Sequence, residues 1–197
     1  MNSVEKIFSQ YIKTIDEISF DNANNVYMTE SKLKAVDFDT FKTNYFFRNT
    51  NISSKEMRSN DALFILNEEN FIFIEFKNGD ITSSLQKEKI RNKITESLLI
   101  LNDVLEKNLT FDRSHIDYIL VYNTSKNGKF EKQRVNSLTK FSSKMASYAK
   151  KTFLIAGFDR YKIFFHDVKT VNEKEFEFIV QSLENNKYNF ENSLSLI

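Results

Sequence analysis

Between residues 61 and 77 the chain sets two carboxylates and an ammonium among apolar residues: Asp61 in SNDALFIL, then Glu75 and Lys77 at the end of FIFIEFK. Side chains alternate along a strand, so Phe71, Phe73, Glu75 and Lys77 share one face and Ile72, Ile74 and Phe76 the other. Both faces are apolar upstream of the charges, which implies cover on both sides. A carboxylate in such a place is costly to desolvate; it is paired, binds a metal, or stands at a mouth open to water. Lys77 is the nearest candidate for a pair, and a solvent-exposed ion pair at a strand end would contribute little.

The elements that must position these groups follow from periodicity. Val4, Ile7, Phe8, Tyr11, Ile12, Ile15 and Ile18 keep helical spacing and predict an amphipathic N-terminal helix. Residues 19–60 are mixed, with VDFDTFKTNYFF able to hold a strand between Asn-rich flanks. ALFIL (62–66) and FIFIEFK (71–77) read as a hairpin turning at Asn67-Glu68-Glu69-Asn70. After Asn78-Gly79-Asp80, one of Thr82, Ser83 and Ser84 caps a helix whose stripe is Leu85, Ile90, Ile94, Leu98, Leu101 and Leu105, ending near Lys107. DYILVYN (117–123) has the uninterrupted apolar character of a buried parallel strand. Val135, Leu138, Phe141, Met145 and Tyr148 predict a helix, TFLIAGF (152–158) and YKIFFHDV (161–168) strands, and Glu173 to Leu183 a closing helix. The expectation is a single α/β domain over residues 1–197, a mixed sheet with helices on both faces.

Asp61 and Glu75-Phe76-Lys77 on a predicted hairpin, with a helix before and a helix then a strand after, resemble the PD-(D/E)xK nuclease superfamily, whose fold is restriction-endonuclease-like. The resemblance covers residues 61–123 and the first helix. It implies metal-dependent hydrolysis of phosphodiester bonds, most readily in DNA. Asp61 and Glu75 would hold Mg²⁺ or Mn²⁺ with the main-chain carbonyl of Phe76, and Lys77 would orient or activate water or stabilise charge on the phosphate. As a general base Lys77 would first have to lose its proton. Asn60 stands where the family has proline, and Gln86 is followed by Ile90 rather than by the tyrosine of one branch. An acid on the first helix completes the site in some members, a place open here to Glu5 or Glu17. The alternative is a nuclease-like binding module that contacts DNA or a protein partner, as in phage defence or mobile elements.

The hairpin makes the resemblance testable. If Leu66 faces Phe71, Asp61 faces Phe76 and points to the wrong side of the sheet. A register one residue away puts Asp61 opposite Glu75 or Lys77, on their face. The nuclease reading therefore needs a three-residue connection, a bulge, or an Asp61 that leaves the ladder.

Composition narrows the remaining possibilities. Hydrophobic residues at 41% and charged residues at 28% describe a folded chain, not a disordered one. The absence of cysteine excludes disulfides, thiolate nucleophiles and zinc fingers of the usual kind. No signal-peptide core or membrane span is legible, so the cytoplasm is the expected location and no membrane the expected partner. Net charge is +1, but Thr124 to Lys151 carries eight basic residues against Glu131, while Asn172 to Ile197 is acidic. Lys140, Lys144 and Lys151 would share one side of the basic helix and could track a phosphate backbone. His115 and His166 lack ligand-spaced partners, and the twenty Phe are expected in the core. Cutting both strands of DNA with so small a domain would favour a homodimer.

Overall fold

The computed structural model describes residues 3–49, 57–139 and 159–185. Their chain order is α1 (Ser3–Phe8), β1 (Ile12–Thr14), α2 (Ile15–Ser19), β2 (Phe20–Asp21), β3 (Val26–Tyr27), β4 (Lys34–Asp37), α3 (Phe38–Asn49), β5 (Ala62–Ile65), β6 (Phe71–Lys77), α4 (Ser84–Leu105), α5 (Leu109–His115), β7 (Ile116–Tyr122), α6 (Gly128–Thr139), β8 (Asp167–Asn172) and α7 (Glu173–Glu184). Six strands form one mixed sheet in the order β1-β4-β5-β6-β7-β8, and β2 and β3 form a separate ribbon. β6, β7 and β8 run parallel, whereas β4, β5 and β6 alternate. The protein is thus α/β, with helices on both faces of a mixed sheet.

Each face of β6 has its own core. Phe71 and Phe73 pack with Leu63, Tyr118, Leu120 and the α4 stripe Ile90, Ile94, Leu98 and Leu101. Ile72, Ile74 and Phe76 pack with Ile119, Val121, Val171 and Phe176, Ile179 and Val180 of α7. Helix α4 starts where Ser83 accepts a hydrogen bond from the Gln86 N–H, and it ends where Glu106 takes a left-handed conformation (φ 52°). Leu85, predicted for its stripe, is 59% exposed in the first turn.

Four predicted elements differ. The N-terminal helix stops at Phe8, because Ile12–Thr14 pairs with Lys34–Val36 as the edge strand. β-branched Ile12 and Thr14 suit a strand, and the ladder outweighs local helical spacing. In VDFDTFKTNYFF the strand ends at Asp37, whose carboxylate accepts the Thr40 N–H at 3.0 Å, and Phe38, Phe41 and Phe46 become the buried face of α3. YKIFFHDV begins in a 3₁₀ turn over Asp159–Ile163, buries Tyr161 within it and Phe165 after it, and only its last two residues enter the strand, Asp167–Asn172. On α6 the inward residues are Phe130 and Arg134, one turn apart, while Val135 is 46% exposed. Arg134 is one of the eight basic residues between Thr124 and Lys151, and it does not face solvent. It is buried instead because its guanidinium bonds Glu175 and the Tyr122 hydroxyl (3.1 Å) and lies 3.5 Å from Glu131. TFLIAGF lies outside the described residues, as does the rest of the basic helix.

The Arg134 cluster joins α6, β7 and α7, and removing the guanidinium strands carboxylates that depend on it. Arg134→Met is expected to lower stability by about 3 kcal/mol in guanidinium chloride unfolding. A change within about 0.5 kcal/mol would mean that the cluster is as inconsequential as a surface pair.

Candidate metal centre and cleft

The hairpin settles the parity question. Ala62 lies opposite Ile74, and Leu63 opposite Phe73, so the same register carries Asp61 to Glu75. The Leu66 N–H donates to the Asn70 carbonyl at 2.9 Å, which leaves Asn67-Glu68-Glu69 as a three-residue connection. The Asn67 side-chain oxygen closes that turn by accepting the N–H groups of Glu69 (2.9 Å) and Asn70 (2.8 Å). Asp61 stays in line with the ladder, since its carbonyl accepts the Phe38 N–H at 3.1 Å.

At the open end of β6 the three predicted side chains converge. Lys77 Nζ lies 2.7 Å from Glu75 Oε1. Asp61 Oδ2 accepts the Phe76 N–H at 2.7 Å. That bond shows which edge of β6 Phe76 addresses: N–H and C=O of one strand residue point the same way, so its carbonyl is directed toward the Asp61 side. The Lys77 carbonyl points oppositely and accepts the Asn123 N–H at 3.1 Å.

A fourth member was not foreseen. Lys93, on α4, donates to Asp61 Oδ1 at 2.8 Å and to Glu75 Oε2 at 2.9 Å, and lies 2.8 Å from Glu75 Oε1. Its ammonium therefore bridges the two carboxylates. Glu75 is 0% exposed. Burial pushes its carboxyl above the usual range and Asp61 adds to this, while Lys93 and Lys77 pull it back. For Lys93, burial opposes the charge, but Glu75 and Asp61 outweigh it and hold the ammonium charged well above the ordinary lysine range. Glu75 Oε1 has both ammoniums in ion-pair contact but no aligned hydrogen bond. The signal in the sequence was Lys93's place between Ile90 and Ser97, a cation on the buried flank of a helix.

Helix α4 also fixes the approach to Asp61. Within one turn Lys93 takes Asp61, Glu96 accepts the Arg58 N–H, and the Ser97 hydroxyl accepts the Asn60 N–H at 2.8 Å. Asn60 is fully buried and uses a backbone donor that proline lacks, which accounts for the residue found here. Asp39, at the start of α3, accepts from Ser59 at 2.7 Å and holds Lys42 at 2.9 Å.

Asp61, Phe76 and Lys77 line a cleft of about 570 Å³, together with Asn78, Gly79, Gln86, Lys126 and the segment from Ile18 to Met28. β2 and the turn after it contribute Phe20, Asp21, Ala23 and Asn24 to the lining, and Asn78 holds β2 by donating to Asp21 at 2.9 Å. Lys126 brings the basic segment to this cleft, whereas Lys140, Lys144 and Lys151 lie outside the described residues. Neither proposed N-terminal acid joins the carboxylates. Glu17 accepts the Thr14 N–H at 3.2 Å as a helix cap, and Glu5 lines a different cleft with Ser9, Ile12 and Lys34. Among the described residues no three or more His, Cys, Asp or Glu side chains group as metal ligands. His115 stacks on Phe111, and His166 lies 2.9 Å from Asp117.

The donor set suits a hard divalent ion: two carboxylates, one of which has a buried oxygen without an aligned hydrogen bond, and a carbonyl aimed at the same edge. Lys93 stands between those carboxylates. Ser97→Ala, which orphans the buried Asn60 N–H behind Asp61, is expected to lower stability by about 1–3 kcal/mol in urea unfolding. Unchanged stability would show that α4 does not anchor this segment. No family model matches the chain, and comparisons with curated proteins and with solved structures find no match either.

Proposed function

We propose that this protein is a metal-dependent nuclease of the PD-(D/E)xK type that hydrolyses phosphodiester bonds in DNA. The observation that carries this reading is the convergence of Asp61, Glu75 and Lys77 at the end of β6, beside a cleft reached by Lys126. Mg²⁺ or Mn²⁺ held by Asp61, Glu75 and the Phe76 carbonyl would neutralise a phosphate oxygen and lower the pKa of a bound water. Lys77, fixed against Glu75 at the cleft wall, offers a cation where charge develops on the phosphate. Gln86 and Asn78 present neutral polar groups to the same cleft, and Lys126 adds a second cation for the backbone. Apolar packing behind Phe71 and Phe73 keeps the strand end rigid, so the charged groups need little reorganisation. Two copies would be needed to cut both strands in one encounter.

A second reading rests on Lys93. An ammonium already bridges Asp61 and Glu75, and Glu75 has no exposed surface. A nuclease-like binding module, contacting DNA or a protein partner without cutting, would look the same.

Cleavage of supercoiled and linear DNA in Mg²⁺ or Mn²⁺ separates the two. Asp61→Ala and Lys77→Ala are each expected to reduce cleavage at least about a hundredfold while circular dichroism stays native. Undiminished cleavage in either variant overturns the assignment. If the wild type does not cut and Mn²⁺ shows no saturable site sensitive to Glu75→Gln, the binding module is the correct reading.

A further inference from the structure

We infer that Lys93 is an internal cation that fills the Asp61–Glu75 pocket when no metal is bound and swings out when a divalent ion enters. The inference rests on the nuclease reading for the identity of the ion, and it assigns Lys93 a positioning role that Lys77 does not have.

Three observations carry it. Lys93 Nζ touches both proposed metal-binding carboxylates at 2.8–2.9 Å, which is where a shared cation would be drawn. The ammonium comes from a different element, α4, on a flexible four-carbon stem, so it can leave without disturbing β5 or β6. Glu75 is wholly buried and does not line the cleft, whereas Asp61 and Phe76 do. An ion entering from the cleft therefore meets Asp61 first and reaches Glu75 only if an ammonium yields. Without some cation, two adjoining carboxylates with one fully buried would be strongly unfavourable. The lysine remains charged throughout; what changes is its place.

Lys93→Met removes the charge and keeps the length of the stem. By electron paramagnetic resonance titration it is expected to bind Mn²⁺ at least about tenfold more tightly than the wild type, since a competing and repelling unit charge is gone. Its melting temperature without metal should fall, and Mn²⁺ should raise it more than it raises that of the wild type. A measurement on the unaltered chain guards against a variant that does not fold. Acetylation by an N-hydroxysuccinimide ester, read by mass spectrometry, should be slow at Lys93 without metal and rise several-fold in Mg²⁺, relative to exposed Lys174. Equal or weaker Mn²⁺ binding by Lys93→Met, or Lys93 acetylation indifferent to bound Mg²⁺, overturns the internal cation and leaves the metal site standing. Absence of Mn²⁺ binding in both proteins overturns the two together. Binding by Lys93→Met alone shows that Lys93 fills the pocket but does not yield to the ion, which overturns its displacement and, with it, the nuclease.

Discussion

A lysine ammonium held between two carboxylates is the contact on which this architecture turns. Glu75 sits on the central strand with no exposed surface, in a position that only a cation makes tolerable. Lys93 supplies that cation from one side and Lys77 from the other. The first ties α4 to the sheet and the second closes the end of β6. Because Lys93 also holds Asp61, a single side chain couples the hairpin's two strands to the helix that crosses over them.

The rest of the fold serves that contact by leaving little room for alternatives. Phe71 and Phe73 fix β6 against α4, while Ile72, Ile74 and Phe76 fix it against α7, so a slip of one residue would turn each of these side chains toward the wrong core. One turn of α4 presents Lys93, Glu96 and Ser97 to the segment before Asp61. At the strand end, asparagines do much of the local closing in a chain with no proline and three glycines. Asn123 donates to Asn78 at 2.8 Å, and Asn127 accepts the Ile81 N–H at 2.9 Å while donating to the Gly79 carbonyl at 3.0 Å. These bonds hold the loop after β6 against the end of β7 and give the cleft a defined wall.

Elements whose patterns agreed with their surroundings were legible in advance. The hairpin, a helix cap among Thr82, Ser83 and Ser84, the β7 strand and the closing helix all combine a strong local pattern with a tertiary role of the same kind. Misreadings occurred where local pattern and tertiary demand diverged. Ile12 to Thr14 kept helical spacing yet serves as an edge strand, because β4 offers a ladder that no helix can use. Tyr161 and Phe165 are four apart, a spacing that suits both a strand face and a helical turn, and packing on Tyr118 goes with the turn. Arg134, one of the basic residues of its segment, is drawn inward by two partners from other elements, the Tyr122 hydroxyl and Glu175, with Glu131 beside it on α6.

The site divides in the same way. By itself the sequence determined that Glu75 and Lys77 share a face, that this face is buried upstream, and that Asp61 could join them in one hairpin register and not in another. These follow from the two-residue period of a strand, which is local and strict. Which register the hairpin takes depends on a three-residue turn closed by Asn67, and that Lys93 enters the pocket depends on how α4 lies across β6. Contacts between residues 18 and 32 positions apart are set by packing of whole elements, and no spacing along the chain encodes them. The tertiary structure alone decided that the carboxylate pair already has a cation of its own.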